Sequence, residues 1–253
     1  MRTLSGSLLL LLFTTFCVSP ASAYDPWAVK PVCVFGMPYI GRAVLPHQGG
    51  IITEILRRVL EPEGVVLQHE SMPYGRTVDE LVHGSVQCSL SIGNDPRTVL
   101  RGKHPIFLYD LCVARAPETA WKGVKSLQGQ RVAYVHGFDL PAILGVEFSP
   151  QKMFDLASAF SLLRDGTVAY ILDGKNLLET ARKESGVYLH QVVIEPIRTL
   201  PVHLVFAPTK EGRLFRDLYD RRMTELKQAG ELKAILTESG LSETRAVRLL
   251  KAQ

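Results

Sequence analysis

Apolar residues along this chain fall into two patterns. Short runs rich in apolar residues predict strands at 31–36, 65–69, 86–92, 106–114, 131–135, 168–172, 191–195 and 202–207, with 168–172 a buried one. Between them, apolar residues recur every three or four positions, which gathers them on one helix face. The clearest case is 51–59, where Ile51, Ile52, Ile55, Leu56 and Val59 form a stripe. Pro62 and Gly64 end that helix, and Gly84 stops a shorter one over 78–82. A further helix is predicted to begin at Leu140-Pro141. Asp139 caps it, since a carboxylate accepts the free N–H groups of a first turn, where proline is also well suited. Helices follow over 154–163 and 176–183. A long one over 211–229 places Leu214, Phe215, Leu218 and Met223 on its apolar side, and short helices over 231–237 and 242–251 close the chain. Regular strand–helix alternation predicts an α/β protein. The apolar runs 106–114 and 202–207 read as crossings between two units, the second beginning near Ala116-Pro117. No internal repeat, low-complexity tract or disordered linker interrupts the order.

The first 23 residues break the pattern. Arg2 precedes an apolar stretch through Leu8 to Phe13, Pro20 follows, and Ala21-Ser22-Ala23 is a small-x-small cleavage site. This is the layout of a secretory signal peptide cleaved after Ala23. The apolar run falls short of the ~20 residues a spanning helix needs, and no later segment is apolar enough to cross. The expectation is an exported, soluble, periplasmic protein of about 230 residues, enough for one large domain or two small ones.

Charge changes this picture little. The whole chain carries 29 Lys+Arg against 25 Asp+Glu, net +4, and loses one positive charge with Arg2. The charges are mixed along the sequence, which argues against nucleic acid as a partner. Export leaves Cys33, Cys88 and Cys112, all in apolar strand runs. An oxidising compartment favours one disulfide among the three, and buried free thiols fit the pattern equally well. The spacings match no metal motif, the histidines form no ligand-spaced cluster, and no GxSxG, HExxH or phosphate-loop pattern occurs. No cofactor is expected.

Four segments then carry a resemblance. Met72-Pro73-Tyr74-Gly75-Arg76 precedes Leu81 and Gly84. Leu127-Gln128-Gly129-Gln130-Arg131-Val132 leads to His136-Gly137. Leu163-Arg164-Asp165-Gly166 runs on through Ala169 to Asp173. Pro201 to Phe206 precedes the long helix and Gly230-Glu231-Leu232-Lys233-Ala234-Ile235. In order and spacing these resemble the bacterial extracytoplasmic solute-binding proteins of family 3, the polar amino-acid-binding type, over nearly the whole mature chain. The resemblance implies a two-lobed periplasmic-binding-protein fold of type II with two hinge-crossing strands. After the signal peptide at 1–23, it divides the chain into a first lobe of 24–114 plus 203–253 and a second of 115–202. The solute would lie in the cleft, where strand carboxyl ends and helix N-termini converge.

The resemblance also nominates residues. Tyr39 would cover the ligand from the loop after the first strand. Tyr74 and Arg76 belong to the first motif, and Arg76 fits a lobe-bracing role equally. Asn94 and Arg97 sit after the third strand, where the family holds the ligand carboxylate. A guanidinium suits that task because it is a two-pronged donor that stays charged when desolvated. Arg97 is favoured over Arg101. In the second lobe, His136 and Phe138 flank Gly137, and Phe138-Asp139 stands where the family has small hydroxyl residues. Asp173 approximates the residue that holds an amino group, one position early, and Ala169 replaces an acidic residue. The α-amino acid pattern is therefore incomplete.

The first functional expectation is a monomeric solute-binding protein. It would capture a small polar, carboxylate-bearing solute for transport or sensing and be read by a membrane permease or receptor. An enzyme on this fold, of the periplasmic dehydratase type, would need a general acid or base in the cleft. His136, Asp139 and Asp173 are the candidates. A third expectation is an accessory scaffold with a degenerate cleft that binds a partner such as an exported dehydrogenase.

Overall fold

The computed structural model describes residues 30–37, 40, 43–45, 49–93, 98–135, 139–153 and 155–252. The expected signal peptide, and with it cleavage after Ala23, lies outside them. In chain order the strands are β1 (Val32–Gly36), β2 (Val66–Glu70), β3 (Cys88–Ser91), β4 (Leu100–Arg115), β5 (Arg131–Val135), β6 (Ser149–Met153), β7 (Tyr170–Gly174) and β8 (Val193–Phe206). The helices are α1 (Ile51–Leu60), α2 (Tyr74–His83), α3 (Leu140–Leu144), α4 (Leu156–Arg164), α5 (Lys175–Glu184), α6 (Lys210–Gln228), α7 (Leu232–Glu238) and α8 (Glu243–Lys251).

The strands form one sheet in the order β2-β1-β3-β8-β4-β7-β5-β6. Its two ends are parallel: β1 pairs with β2 and β3, and β5 with β6 and β7. Its middle is an antiparallel pair, β4 with β8, running from Leu100 opposite Phe206 to Arg115 opposite Val193. β3 joins the pair through β8 residues 203–206, and β7 joins it through β4 residues 111–114. One end of the pair thus completes the first parallel sheet and the other end the second. The fold is two-lobed α/β with two crossing strands.

Burial follows the sequence pattern in most places. Ile52, Ile55, Leu56, Val59 and Leu60 of α1 are buried, as are Tyr74, Thr77, Val78 and Leu81 of α2. α2 therefore starts directly after Pro73, four residues earlier than its aliphatic positions suggested. Asp139 caps α3, its Oδ1 accepting the Ala142 N–H at 3.4 Å.

Two expectations need correction, and one strand was not foreseen. Residues 191–195 and 202–207 are not separate strands but parts of β8. Pro196 and Pro201 lie inside it, on a stretch where β4 is its only pairing strand, so a missing N–H can face the open edge. Leu214 does not face the core. It is 62% exposed, because α6 packs through Phe215, Tyr219, Met223 and Leu226, and Leu214 sits about 100° round the helix from Phe215. β6 was not anticipated: Ser149–Met153 is a mainly polar edge strand that pairs only with β5.

All three described cysteines are free, buried thiols. Cys33 on β1 and Cys88 on β3 meet with their sulfurs 3.5 Å apart. Hydrogen bonding with Cys33 and burial push the Cys88 thiol well above its ordinary pKa. Cys112 packs in the other lobe's core, beside Ala114, Ala133 and Ile171. Among the described residues, no helix is long and apolar enough to cross a membrane.

Candidate functional site

The crossing strand β4 passes from one lobe to the other at Phe107–Asp110, between the pairing of β3 and that of β7. Four other pieces of chain converge there. Ile40 and Ala43 follow β1, and Ile51 opens α1. Gly174 to Leu177 form the end of β7 and the first turn of α5, and Gly240 to Ser242 connect α7 to α8. Together with Arg245 of α8 they enclose a cavity of about 400 Å³ walled by both lobes and the crossing strand.

The sequence folds this way locally for two glycine-dependent reasons. Gly50, ahead of α1, has φ of 106°, and a Cβ there would lie 2.7 Å from the Ala43 carbonyl oxygen. Only glycine fits that conformation and that approach. Gly174, ahead of α5, has an ordinary φ, but a Cβ would stand 3.0 Å from Tyr109 Cε2. Neither residue provides a side-chain cap, so the first turns of α1 and α5 bring partial positive charge to the cavity.

Two polar networks border the space. In the first, Arg245 pairs with Asp110 at 2.7 Å, donates to the Leu108 carbonyl at 3.0 Å and lies 5.4 Å over the Phe107 ring. Thr199 of β8 donates to Asp110 at 2.8 Å, and Arg248 donates to Thr199 at 2.8 Å. This network fastens α8 to both crossing strands. In the second, the Tyr109 hydroxyl donates to Asp173 Oδ1. The Gly174 N–H points at both groups, 2.6 Å from the Tyr109 oxygen and 2.7 Å from Asp173 Oδ1. Burial raises the Asp173 carboxyl to about 6, against the opposing pull of the hydrogen bonds from Tyr109 and Gly174. Burial and the adjacent carboxylate push the Tyr109 hydroxyl well above its usual range.

Beside the main cavity lies a smaller one of about 30 Å³, sharing Ile40, Ala43, Phe107 and Tyr109 as walls.

The four nominated residues that the structure describes do not line the cavity. Tyr74 is buried behind β3, its hydroxyl donating to the Leu90 carbonyl at 3.2 Å. Arg76 points outward from α2 and pairs with Glu80 at 3.4 Å. Asp139 is an exposed helix cap. Asp173 is buried behind Tyr109 and is not part of the cavity wall. Tyr39, Asn94, Arg97, His136 and Phe138 lie outside the described residues. Arg101 is held at the loop after β3, donating to the Gly93 carbonyl. The sequence reading missed Phe107, Tyr109, Asp110, Lys175 and Arg245. The signal for Asp110 was present: it is the charged residue inside the apolar run 106–114.

No protein-family model matches the sequence, and no curated relative matches it. Solved structures do match the fold. One concerns glutathione import in Gram-positive bacteria via GshT and the cystine ABC importer TcyBC of Streptococcus mutans. It aligns with a TM-score of 0.63 at 14% identity, over 83% of this chain and 95% of that one. An ABC uptake transporter substrate-binding protein from Streptococcus pneumoniae with bound histidine aligns at 0.59 and 12% identity, over 84% and 93%. The amino-acid ABC transporter substrate-binding protein AbpA from Streptococcus pneumoniae, bound to L-arginine, aligns at 0.59 and 13%, over 86% and 96%. The fold is that of the two-lobed substrate-binding proteins. At these identities the likeness establishes architecture, and it agrees with a chain far diverged from the neighbours it matches.

Proposed function

We propose that this protein is a periplasmic solute-binding protein that captures a small carboxylate-bearing solute between its lobes. It would act as a monomer without a cofactor and be read by a membrane permease or receptor. The observation that carries this reading is the cavity of about 400 Å³, walled by both lobes and by the crossing strand. Its size lies in the range of small-molecule sites. A ligand held there touches parts that separate when the lobes open, so it binds the closed form better and shifts the equilibrium toward it. We assign residues 24–114 with 203–253 to the first lobe and 115–202 to the second. The place of β4 and β8 in the sheet supports that division.

Arg97 is the proposed carboxylate ligand. Lys175 and the first turns of α1 and α5, neither of which has a side-chain cap, supply further positive character around the cavity. Cleavage after Ala23 would leave the receptor unanchored. Native mass spectrometry of the purified mature protein should reveal a co-purified small molecule, and a solute library should contain compounds that raise its melting temperature. A preparation with no bound molecule and no response across the library would sink this reading in favour of a partner-binding scaffold. Turnover of a bound solute would place the protein among the enzymes of this fold.

A further inference from the structure

The two lobes also touch away from the cavity. Gly93 follows β3, in the parallel end of the sheet that holds β1 and β2. Ile143 belongs to α3, which follows β5 in the other parallel end. A Cβ added at Gly93 would lie 2.6 Å from Ile143 Cγ1 and 2.7 Å from Cδ1, well inside the ~3.5 Å at which carbon atoms rest. Gly93 is not among the positive-φ glycines, so its conformation does not call for glycine. What calls for it is the isoleucine of the other lobe. Cδ1 of that side chain can turn aside, but the place of Cγ1 is set by χ1, which a β-branched residue in a helix holds near one value.

Both sides of the contact are braced from behind. The Gly93 carbonyl accepts from the Ser91 hydroxyl at 3.3 Å and from Arg101, both in the first lobe. The Ile143 carbonyl accepts from Arg198 of β8 at 3.2 Å, and its N–H donates to the Asp139 carbonyl at 3.0 Å. A side chain placed between two such surfaces pushes the lobes apart more readily than it deforms either one. Neither Gly93 nor Ile143 lines the main cavity. Their effect on a solute therefore runs through the distance between the lobes.

Resting on the solute-binding reading above, we infer that Gly93 and Ile143 form the stop on which the lobes close, and that the bare position at 93 sets how deeply they close around the solute. Both are positioning residues. Apparent affinity scales with the fraction of protein able to reach the binding-competent form, so whatever fills this contact weakens binding without touching the solute.

A cross-link tests the contact directly. In the Gly93→Cys/Ile143→Cys double variant of the purified mature protein, oxidised glutathione should join the two introduced thiols, because their β-carbons stand within reach of a disulfide when the lobes are closed. Peptide mapping should recover the joined 93 and 143 peptides, and neither single variant should give them. Native mass spectrometry then reads retention of the co-purified small molecule. Gly93→Val should retain it at least ~10-fold less well than wild type. Gly93→Val combined with Ile143→Ala adds three carbons and removes three, and should restore retention. That rescue separates a stop against Ile143 from a disturbance of the neighbouring loop that carries Arg97. Should Gly93→Val not fold, Ile143→Phe fills the contact from the other lobe and should lower retention likewise. Absence of the cross-link overturns this inference and leaves the solute-binding reading intact. Retention unchanged in Gly93→Val, or not restored by Ile143→Ala, overturns it too. A cross-link that forms in a protein with no co-purified molecule and no response to the solute library upholds the stop and overturns the solute-binding reading.

Discussion

Gly174 packs directly against the ring of Tyr109, so closely that a single added carbon would lie 3.0 Å from Cε2 and 3.2 Å from Cζ. Its backbone, at φ −65° and ψ 142°, would accept any residue, so the restriction is steric rather than conformational. The contact joins the crossing strand β4 to the point where β7 turns into α5. Gly174→Ala should therefore destabilise the fold by about 1–3 kcal/mol through overpacking, measured by urea denaturation. An unchanged midpoint would mean that Tyr109 moves aside freely.

Asp173 gives the protein a pH dependence of definite sign. Its carboxyl rises from 3.8 to about 6 in the folded state. Between those values the folded chain keeps a proton that the unfolded chain releases, so this group's contribution to stability falls as pH rises from about 4 through 6. Above that window the buried charge weighs against folding by about 3 kcal/mol. Asp173→Asn, whose amide oxygen still accepts from Tyr109, should remove that term. The stability difference between variant and wild type should grow from pH 4 to 6 and then level off. A difference independent of pH would refute the assignment.

Arg245 fastens the C-terminal helix to the crossing strands through an ion pair, a backbone hydrogen bond and a stacked ring. Arg245 and Asp110 are each about a third exposed, so solvent screens the pair. Arg245→Ala and Asp110→Ala should show a coupling of about 1 kcal/mol in a double-mutant cycle. Hydrogen exchange should quicken in α8 before the rest of the first lobe. Additive single effects, with α8 still protected, would assign the helix's docking to its apolar contacts instead.

The strands were legible where a run of apolar residues was written into the core, as at Val132–Tyr134 of β5. β6 was not, because the edge strand Ser149–Met153 needs no such run. Pro196 and Pro201 hid the continuity of β8, since the sequence does not reveal that its outer edge is open there. The cavity walls were harder to read than the sheet. Tyr109 and Asp173 are 64 positions apart, and Asp110 and Arg245 are 135 apart. Neither pairing leaves a local motif. What sequence did convey was the mismatch at Asp173, one position early, and its physical counterpart is a carboxylate turned into the hinge against Tyr109 rather than toward the cavity.

The contacts of Arg101 bear on its competition with Arg97, which the sequence left open. Arg101 already donates to the Gly93 carbonyl and stands at the start of β4, where it helps to wall a groove against Arg216 and Asp220 of α6. A side chain so placed holds the loop after β3 in shape and need not touch the solute. Arg101→Ala should then lower affinity less than ~10-fold while softening that loop, which hydrogen exchange would register. Arg97→Ala should remove the charged fork that binds the carboxylate and weaken binding at least ~100-fold. Arg97→Lys should recover only part of the loss, because an ammonium keeps the charge but not the two parallel donors. Titration calorimetry on the three variants with a carboxylate ligand decides between the assignments. Full affinity in Arg97→Ala, with loss in Arg101→Ala, would transfer the carboxylate to Arg101 and require the Gly93 contact to break when solute enters.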